Sequence, residues 1–279
     1  MQTEATTRSG LMAAELVPLS APAFWQETRA LTRRWVLQAA RERMMIVFGL
    51  MQPLLWLLLF GNVFSGVARW RPDVFGTDNY LAFQTAGILA LTVLGNAMMG
   101  GVPLLFDRES GMLAKILVTP SWRGSLVASR FLFTSAFSLA QALLILLVAF
   151  LMGVRIASGF PGFLVILWIS LLLSIGFTVL SLMLAFLFPH HGAFFAVTGF
   201  ITQPLLFLST ALMPRQVMPH PMQYVVWANP LTYATEVARD AMLRTSPDGW
   251  LLLQASAILI LFDALVFWKA TGVIRRRLE

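Results

Sequence analysis

Six stretches of about 20 or more mostly apolar residues dominate this 279-residue chain, at about 44–67, 80–105, 126–152, 161–188, 192–213 and 250–270. A helix needs about 20 such residues to cross the ~30 Å hydrocarbon layer. A water-soluble core cannot absorb this much apolar surface, whereas a bilayer can. The residues are 58% hydrophobic and 12% charged, against about 45–50% and about 25% in soluble domains. The chain therefore reads as an all-α integral membrane protein with six transmembrane helices per subunit. Residues 1–22 read as an N-terminal tail and residues 23–279 as a single transmembrane domain. Pro53, Pro103 and Pro204 lie inside or at the ends of the spans, where they are tolerated but expected to kink the helix.

The basic residues set the orientation. With the N-terminus inside, Arg8, Arg29, Arg33, Arg34, Arg41, Arg43, Arg108, Lys115, Arg123, Arg130, Lys269, Arg275, Arg276 and Arg277 fall on the cytoplasmic side. Arg69, Arg71, Arg155, Arg215, Arg239 and Arg244 fall outside. Fourteen against six follows the positive-inside rule, and six spans then return both termini to the cytoplasm. The net charge of +7 is read as topology, so no nucleic-acid partner is expected. No apolar core of signal-peptide length precedes the arginines of residues 1–43, and no cleaved signal is expected.

Two flanking segments are amphipathic without spanning. In residues 23–43 Phe24, Thr28, Leu31 and Trp35 share one helical stripe, with Arg29, Arg33 and Arg41 elsewhere. Trp and Arg together suit a helix lying in the headgroup plane; a solvated cytoplasmic helix is the alternative. Residues 214–248 form the longest polar connection, external by the charge count. One or two short helices dipping into the outer leaflet are expected there. They should break at Asn229-Pro230, because the residue before proline disfavours the helical conformation.

Several chemistries are missing. There is no cysteine, hence no disulfide, zinc thiolate or cysteine nucleophile. Neither lysine, Lys115 after Ala114 or Lys269 after Trp268, sits in a Gly-Lys-Ser/Thr phosphate loop. His190-His191 read as a short polar turn after Pro189, without a nearby carboxylate, and no metal site or catalytic residue is expected. Asp263 is the one acidic residue inside a span. A buried carboxylate there reads either as functional, as in an ion-coupled carrier, or as a hydrogen bond to a neighbouring helix. Residues 95–101, GNAMMGG, place Ala97 and Gly101 at a small-xxx-small spacing, which suits either packing within the subunit or a dimer interface.

The segment FDRESGMLAKILVTPSWRG interrupts the apolar pattern. Asp107, Arg108 and Glu109 come as the second span leaves the membrane, and acidic residues at a helix start complement its dipole and free N–H groups. Met112, Leu113, Ile116 and Leu117 then recur at helical spacing, Thr119-Pro120 ends the segment, and Ser121 can cap the next helix. The result is a short amphipathic helix whose apolar face either rests on the membrane or docks into a groove of a soluble partner.

This segment resembles the signature of ABC-2 type export permeases at Arg108, Glu109, Gly111, Leu113, Leu117, Val118, Thr119, Pro120 and Arg123. Asp107 replaces the more usual Glu, and Ala114-Lys115 departs from a common acidic position. The stretch ALMPRQVMP followed by WANPLTYATEVAR is similar to the family's external region at Pro214, Asn229, Pro230, Leu231, Tyr233 and Arg239. The resemblance implies a half-transporter. A second copy of the chain completes the pore, and two copies of a separate ABC ATPase subunit, carrying ATP and Mg, bind from the cytosol. It implies that residues 107–119 form the coupling helix, with Lys115 among its contacts, and that residues 23–43 form a gate helix on the inner leaflet. Asn229, Pro230, Tyr233, Glu236 and Arg239 would belong to an external gate. The implied setting is a bacterial inner membrane with its lipid, and the implied cargo is a hydrophobic or amphipathic drug-like molecule, lipid or glycolipid. Polymer export is the alternative. Trp56, Phe60, Phe83, Phe200, Gln203 and Phe207 are candidates for the substrate path; aromatic residues also simply pack or face lipid.

Overall fold

A computed structural model describes residues 21–41, 43–63, 77, 79–112, 115, 123–188 and 190–278. Helix α1 (Ala21–Arg41) is followed by α2 (Arg43–Val63), α3 (Tyr80–Met99), α4 (Val102–Glu109) and α5 (Arg123–Leu151). Then come α6 (Gly159–Leu187), α7 (His191–Phe207), the short α8 (His220–Val225), α9 (Pro230–Leu243) and α10 (Gly249–Leu278). Among the described residues there is no strand, as a chain that must satisfy its own backbone in lipid requires.

Four stretches are long and apolar enough to cross a bilayer: Tyr80–Glu109, Gly124–Leu151, Gly159–Leu187 and Gly249–Val273. They are the second, third, fourth and sixth of the expected spans. The first expected span falls on α2, 21 residues long with Pro53 inside it, and its last residues, 64–67, lie outside the described residues. The fifth falls on α7, 17 residues long. At 1.5 Å per residue that is about 26 Å, short of the ~30 Å hydrocarbon layer. Pro204 lies in its last turn, where its missing N–H leaves the turn before it one bond short, and the helix stops three residues later.

Helix α6 is the hub, packing against α3, α5, α9 and α10. Its buried Ile166, Ile169, Leu173 and Phe177 meet Leu89, Val93 and Leu94 of α3 and Val237 and Ala238 of α9. The outward residues are also apolar, among them Leu147, Phe150, Leu253, Leu261 and Trp268. A soluble protein could not expose such a belt.

Close approach depends on two glycines of the second span. A Cβ on Gly87 would collide with the carbonyl oxygen of Ala211. At Gly101 it would meet the Ser181 carbonyl oxygen at 2.5 Å and the Ala185 Cβ at 3.0 Å. The span breaks at Gly100-Gly101, and Ser181 of α6 stitches the break. Its hydroxyl accepts from Gly101 N at 2.9 Å and donates to Met98 O at 2.6 Å. Ala97, Gly100 and Gly101 thus serve packing inside the chain, whereas nothing lies within 4 Å of a Cβ built at Gly95.

Gly101→Leu should therefore force α4 off α6. The expected loss is about 1–3 kcal/mol, typical of overpacking, read as a lower Tm in detergent; an unchanged Tm would show that the two helices can separate freely.

Candidate functional site

Helix α4 starts with Val102-Pro103, where the missing proline N–H has no helical partner to lose, and ends at Glu109. Ser110 N still reaches Phe106 O at 2.9 Å, and Gly111 turns the chain with φ +70°. Nothing lies within 4 Å of a Cβ built at Gly111, so glycine is required there by backbone conformation alone. Met112 and Lys115, both exposed, begin the next helical turn, with Lys115 N bonded to Gly111 O at 3.2 Å. Leu113, Leu117, Thr119 and Pro120 lie outside the described residues.

The acidic residues do not stand at the start of this new helix, as their sequence suggested. They close the preceding one, where the dipole disfavours negative charge, and each is held by a side chain from another element. Arg34 Nη2 of α1 donates to Asp107 Oδ1 at 3.1 Å. His191 Nδ1, at the start of α7, lies 2.5 Å from Glu109 Oε1. Between them Arg108 Nη2 donates to Phe188 O at 2.5 Å. Three consecutive residues thus pin α1, the turn after α6 and the start of α7. The expectation that His190-His191 lacks a nearby carboxylate is corrected here: Glu109 comes from 82 positions earlier, a distance no local pattern reveals. Phe106 packs on the same imidazole at 4.4 Å between ring centres.

The stripe expected on α1 is real, but it faces protein. Thr28 and Trp35 are buried and Phe24 and Leu31 half-buried, and α1 packs on α5. Ser125 Oγ donates to Glu27 Oε2 at 3.0 Å, and Trp35 lies beneath the Arg130 guanidinium at 3.5 Å. Trp25, Val36 and Leu37 remain exposed on α1.

A second polar group assembles at the opposite end of the bundle. The chain breaks at Asn229, as expected, and Asn229 joins both sides of the break. Its Oδ1 accepts from Leu231 N at 3.0 Å, capping α9, with Pro230 in the first turn. Its Nδ2 donates to Leu205 O at 2.8 Å and Leu208 O at 2.7 Å, carbonyls freed where α7 ends. Tyr233 Oη donates to Trp227 O at 2.8 Å, folding the preceding turn back onto α9.

Arg239 is 7% exposed. Its guanidinium lies 3.6 Å over the Phe83 ring, and donates to Glu236 Oε1 and Thr210 O, both at 2.8 Å. Burial pushes this guanidinium below its ordinary pKa, and the Glu236 carboxylate opposes the shift. Glu236, Arg239, Arg215 and Trp227 line a cavity of about 460 Å³.

A second cavity, of about 410 Å³, lies between α2, α3 and α7 and includes Trp56 and Gln203. The other candidates for the substrate path are elsewhere. Phe83 is buried under Arg239; Phe200 and Phe207 point outward, 80% and 61% exposed; the Phe60 side chain is not among those described. Gln52, Asn96 and Thr202 also line this cavity and were missed by sequence reasoning. The available signal was an amide inside an apolar span, which is expensive unless it has a use. Asp263 Oδ1 is buried against Gly176 of α6 and lines none of these cavities. Among the described residues no acidic, His or Cys group has the form of a metal site.

Residues 26–243 match the ABC-2 type transporter family. The chain is 36% identical over 259 residues to the transport permease ycf38 of Cyanophora paradoxa, covering 88% of this chain and 87% of that one. It is 31% identical over 202 residues to nodulation protein J of Sinorhizobium fredii, covering 71% and 75%. It is 27% identical over 219 residues to the daunorubicin resistance ABC transporter permease protein DrrB1 of Streptomyces coeruleorubidus, covering 75% and 73%.

The geometry makes two predictions about stability. Asn229→Ala should cost about 2–3 kcal/mol, roughly one from the lost cap and the rest from buried carbonyls left without a donor. Asn229→Asp keeps the cap oxygen and should recover only the smaller part; identical unfolding of all three proteins in detergent would refute the account. Arg34→Asp and Asp107→Arg should each destabilise, and the double exchange should restore part of the loss. A coupling energy of about 0.5–3 kcal/mol is expected in the cycle, and zero would make the pair incidental.

Proposed function

The chain belongs to the ABC-2 type transporter family, and on that premise we propose that it is the permease subunit of an ATP-driven exporter moving a hydrophobic or amphipathic molecule outward. Two copies form the pore and two ATPase chains, holding ATP and Mg, dock from the cytosol. The carrying observation is the turn at Ser110-Gly111, which presents Met112 and Lys115 to solvent while Asp107, Arg108 and Glu109 grip three other elements. A push on this turn moves α1, the end of α6 and the start of α7 together. ATP closure could thus be converted into a rearrangement of several helices. Cargo and ATP must favour different conformations, or no coupling exists.

The finer topology of this proposal has six spans, with α2 and α7 as the first and fifth, both termini cytoplasmic and the setting a bacterial inner membrane. The excess of Lys and Arg on the side of residues 107–115 supports that orientation. Helix α9, fourteen residues long, is too short to span, and with Asn229, Glu236 and Arg239 it forms the external gate. The cavity of Trp56 and Gln203, apolar with a few amides, has the character of a small-molecule site. The family relative named for daunorubicin resistance supports a drug-like or lipid-like cargo.

The test is gentle purification of the tagged chain from its native membrane and identification of what accompanies it. A stoichiometric ATPase of about 30–40 kDa, a large single domain, is expected. Met112→Asp should remove it while the Tm stays unchanged, whereas Glu109→Lys should affect both. A chain that transports in vesicles on a proton gradient, with no ATPase present, would overturn the proposal and direct attention to Asp263.

A further inference from the structure

The connection between α5 and α6, residues 152–158, joins two stretches long enough to cross a bilayer, Gly124–Leu151 and Gly159–Leu187. It therefore stands where the chain leaves hydrocarbon. Carbonyls at the end of α9 hold it in place: Ala157 N reaches Met242 O at 3.1 Å, and Ser158 Oγ donates to Ala241 O at 2.6 Å.

Beside this connection lies a groove of about 290 Å³, and every residue lining it is apolar. Ala149, Val154 and Met242 are buried and form its floor, while Leu143, Leu147 and Phe150 of α5 stay exposed along it. Unlike the cavity of Trp56 and Gln203, it presents no amide, hydroxyl or charged side chain. A polar occupant would lose its water there and gain no partner.

Arg155 stands at the rim. Its neighbours Val154 and Ile156 both line the groove, and its guanidinium lies 4.2 Å over the ring of Phe150. The side chain is exposed, and the aromatic face attracts the cation without accepting its N–H bonds. No carboxylate among the described residues pairs with it. Asp240, near the end of α9, is already taken on one oxygen by Arg244 Nε at 3.0 Å and on the other by Asp248 N at 2.6 Å. A free anion would use only the arginine, and an alkane only the walls. A molecule with an anionic group at one end and methylenes along the rest uses both.

We infer that this groove binds one acyl chain of a membrane phospholipid, with the phosphodiester on the exposed guanidinium of Arg155. The fork of N–H donors suits two phosphate oxygens, and basic side chains near the ends of spans reach the headgroup plane. The bound lipid braces α5, α6 and α9 together, and α9 is the helix that carries Glu236 and Arg239. The inference requires neither the ATPase nor any cargo, and is tested on the full chain alone.

The experiment labels the delipidated chain, in an uncharged maltoside detergent, with phosphatidylglycerol carrying a photoreactive diazirine in its acyl chain, and maps the cross-links by mass spectrometry. Residues 143–163 should take up at least about fivefold more label than the face of α10 with Leu253, Leu261 and Trp268, the scale of one basic residue at a membrane surface. Unlabelled phosphatidylglycerol should compete, at about fivefold lower concentration than diacylglycerol of the same chains, and inorganic phosphate should not. Arg155→Gln should bring the labelling down to the level of α10. Leu147→Trp, which fills the groove and leaves Arg155 in place, should also reduce it, and decides the matter if Arg155→Gln fails to fold. Labelling no denser than on α10, diacylglycerol or phosphate competing as well as the lipid, or undiminished labelling of either variant would each overturn the proposal. So would Leu147→Cys, in a chain without cysteine, if mild oxidation joined most of it into disulfide-linked pairs, since a second copy would then occupy the groove.

Discussion

Inside hydrocarbon a backbone N–H or carbonyl that leaves a helix finds no water to replace its partner. Every break in this bundle must be stitched by another part of the chain, and the stitches organise the structure. Ser181 closes the break at Gly100-Gly101. Asn229 closes the one left where α7 ends near Pro204. Arg108 takes the carbonyl of Phe188 where α6 ends. Each stitch lets a helix stop or bend, and the candidate functional groups lie where helices stop.

The segment around residue 109 adds a second constraint. Two carboxylates at a helix C-terminus oppose its dipole, and basic side chains from other elements meet them. Arg34 comes from α1 and His191 from α7. An arrangement unfavourable within one helix thereby becomes a junction between three. The same logic relocates the α1 stripe. Trp35 could have entered lipid, but the buried Arg130 offered its aromatic face a cation, and α1 was drawn onto α5.

Much of this was legible in the sequence, because span length and apolar content are local properties. Four spans coincide with long helices, the break at Asn229 follows from Pro230, and the stripe Phe24, Thr28, Leu31, Trp35 is the buried one. The misread features depend on partners distant in sequence. Whether Asp107 and Glu109 begin a helix or end one is decided by the φ of Gly111, which the letters DRESG leave open. Glu109 beside His191 requires α4 and α7 to meet. The aromatic candidates scattered for a related reason. Phe serves a core, a lipid face and a pocket equally well, so Phe83 is buried under Arg239 while Phe200 and Phe207 face outward.

Amides discriminate where aromatics do not. An exposed Phe or Leu on this surface is at ease against lipid or against protein. An exposed Gln is not, since hydrocarbon offers its amide no partner. Gln52 and Gln203 are both exposed and flank the same cavity of about 410 Å³, with Asn96 and Thr202 behind them. That face of α2, α3 and α7 is therefore poorly suited to lipid. The outward face of α10, carrying Leu253, Leu261 and Trp268, is well suited to it. In the two-copy arrangement proposed above, the amide face is the one a second copy would cover. The cavity would then open onto the axis between the subunits, and the residues that distinguish a transport path from a packed wall would be Gln52, Asn96 and Gln203.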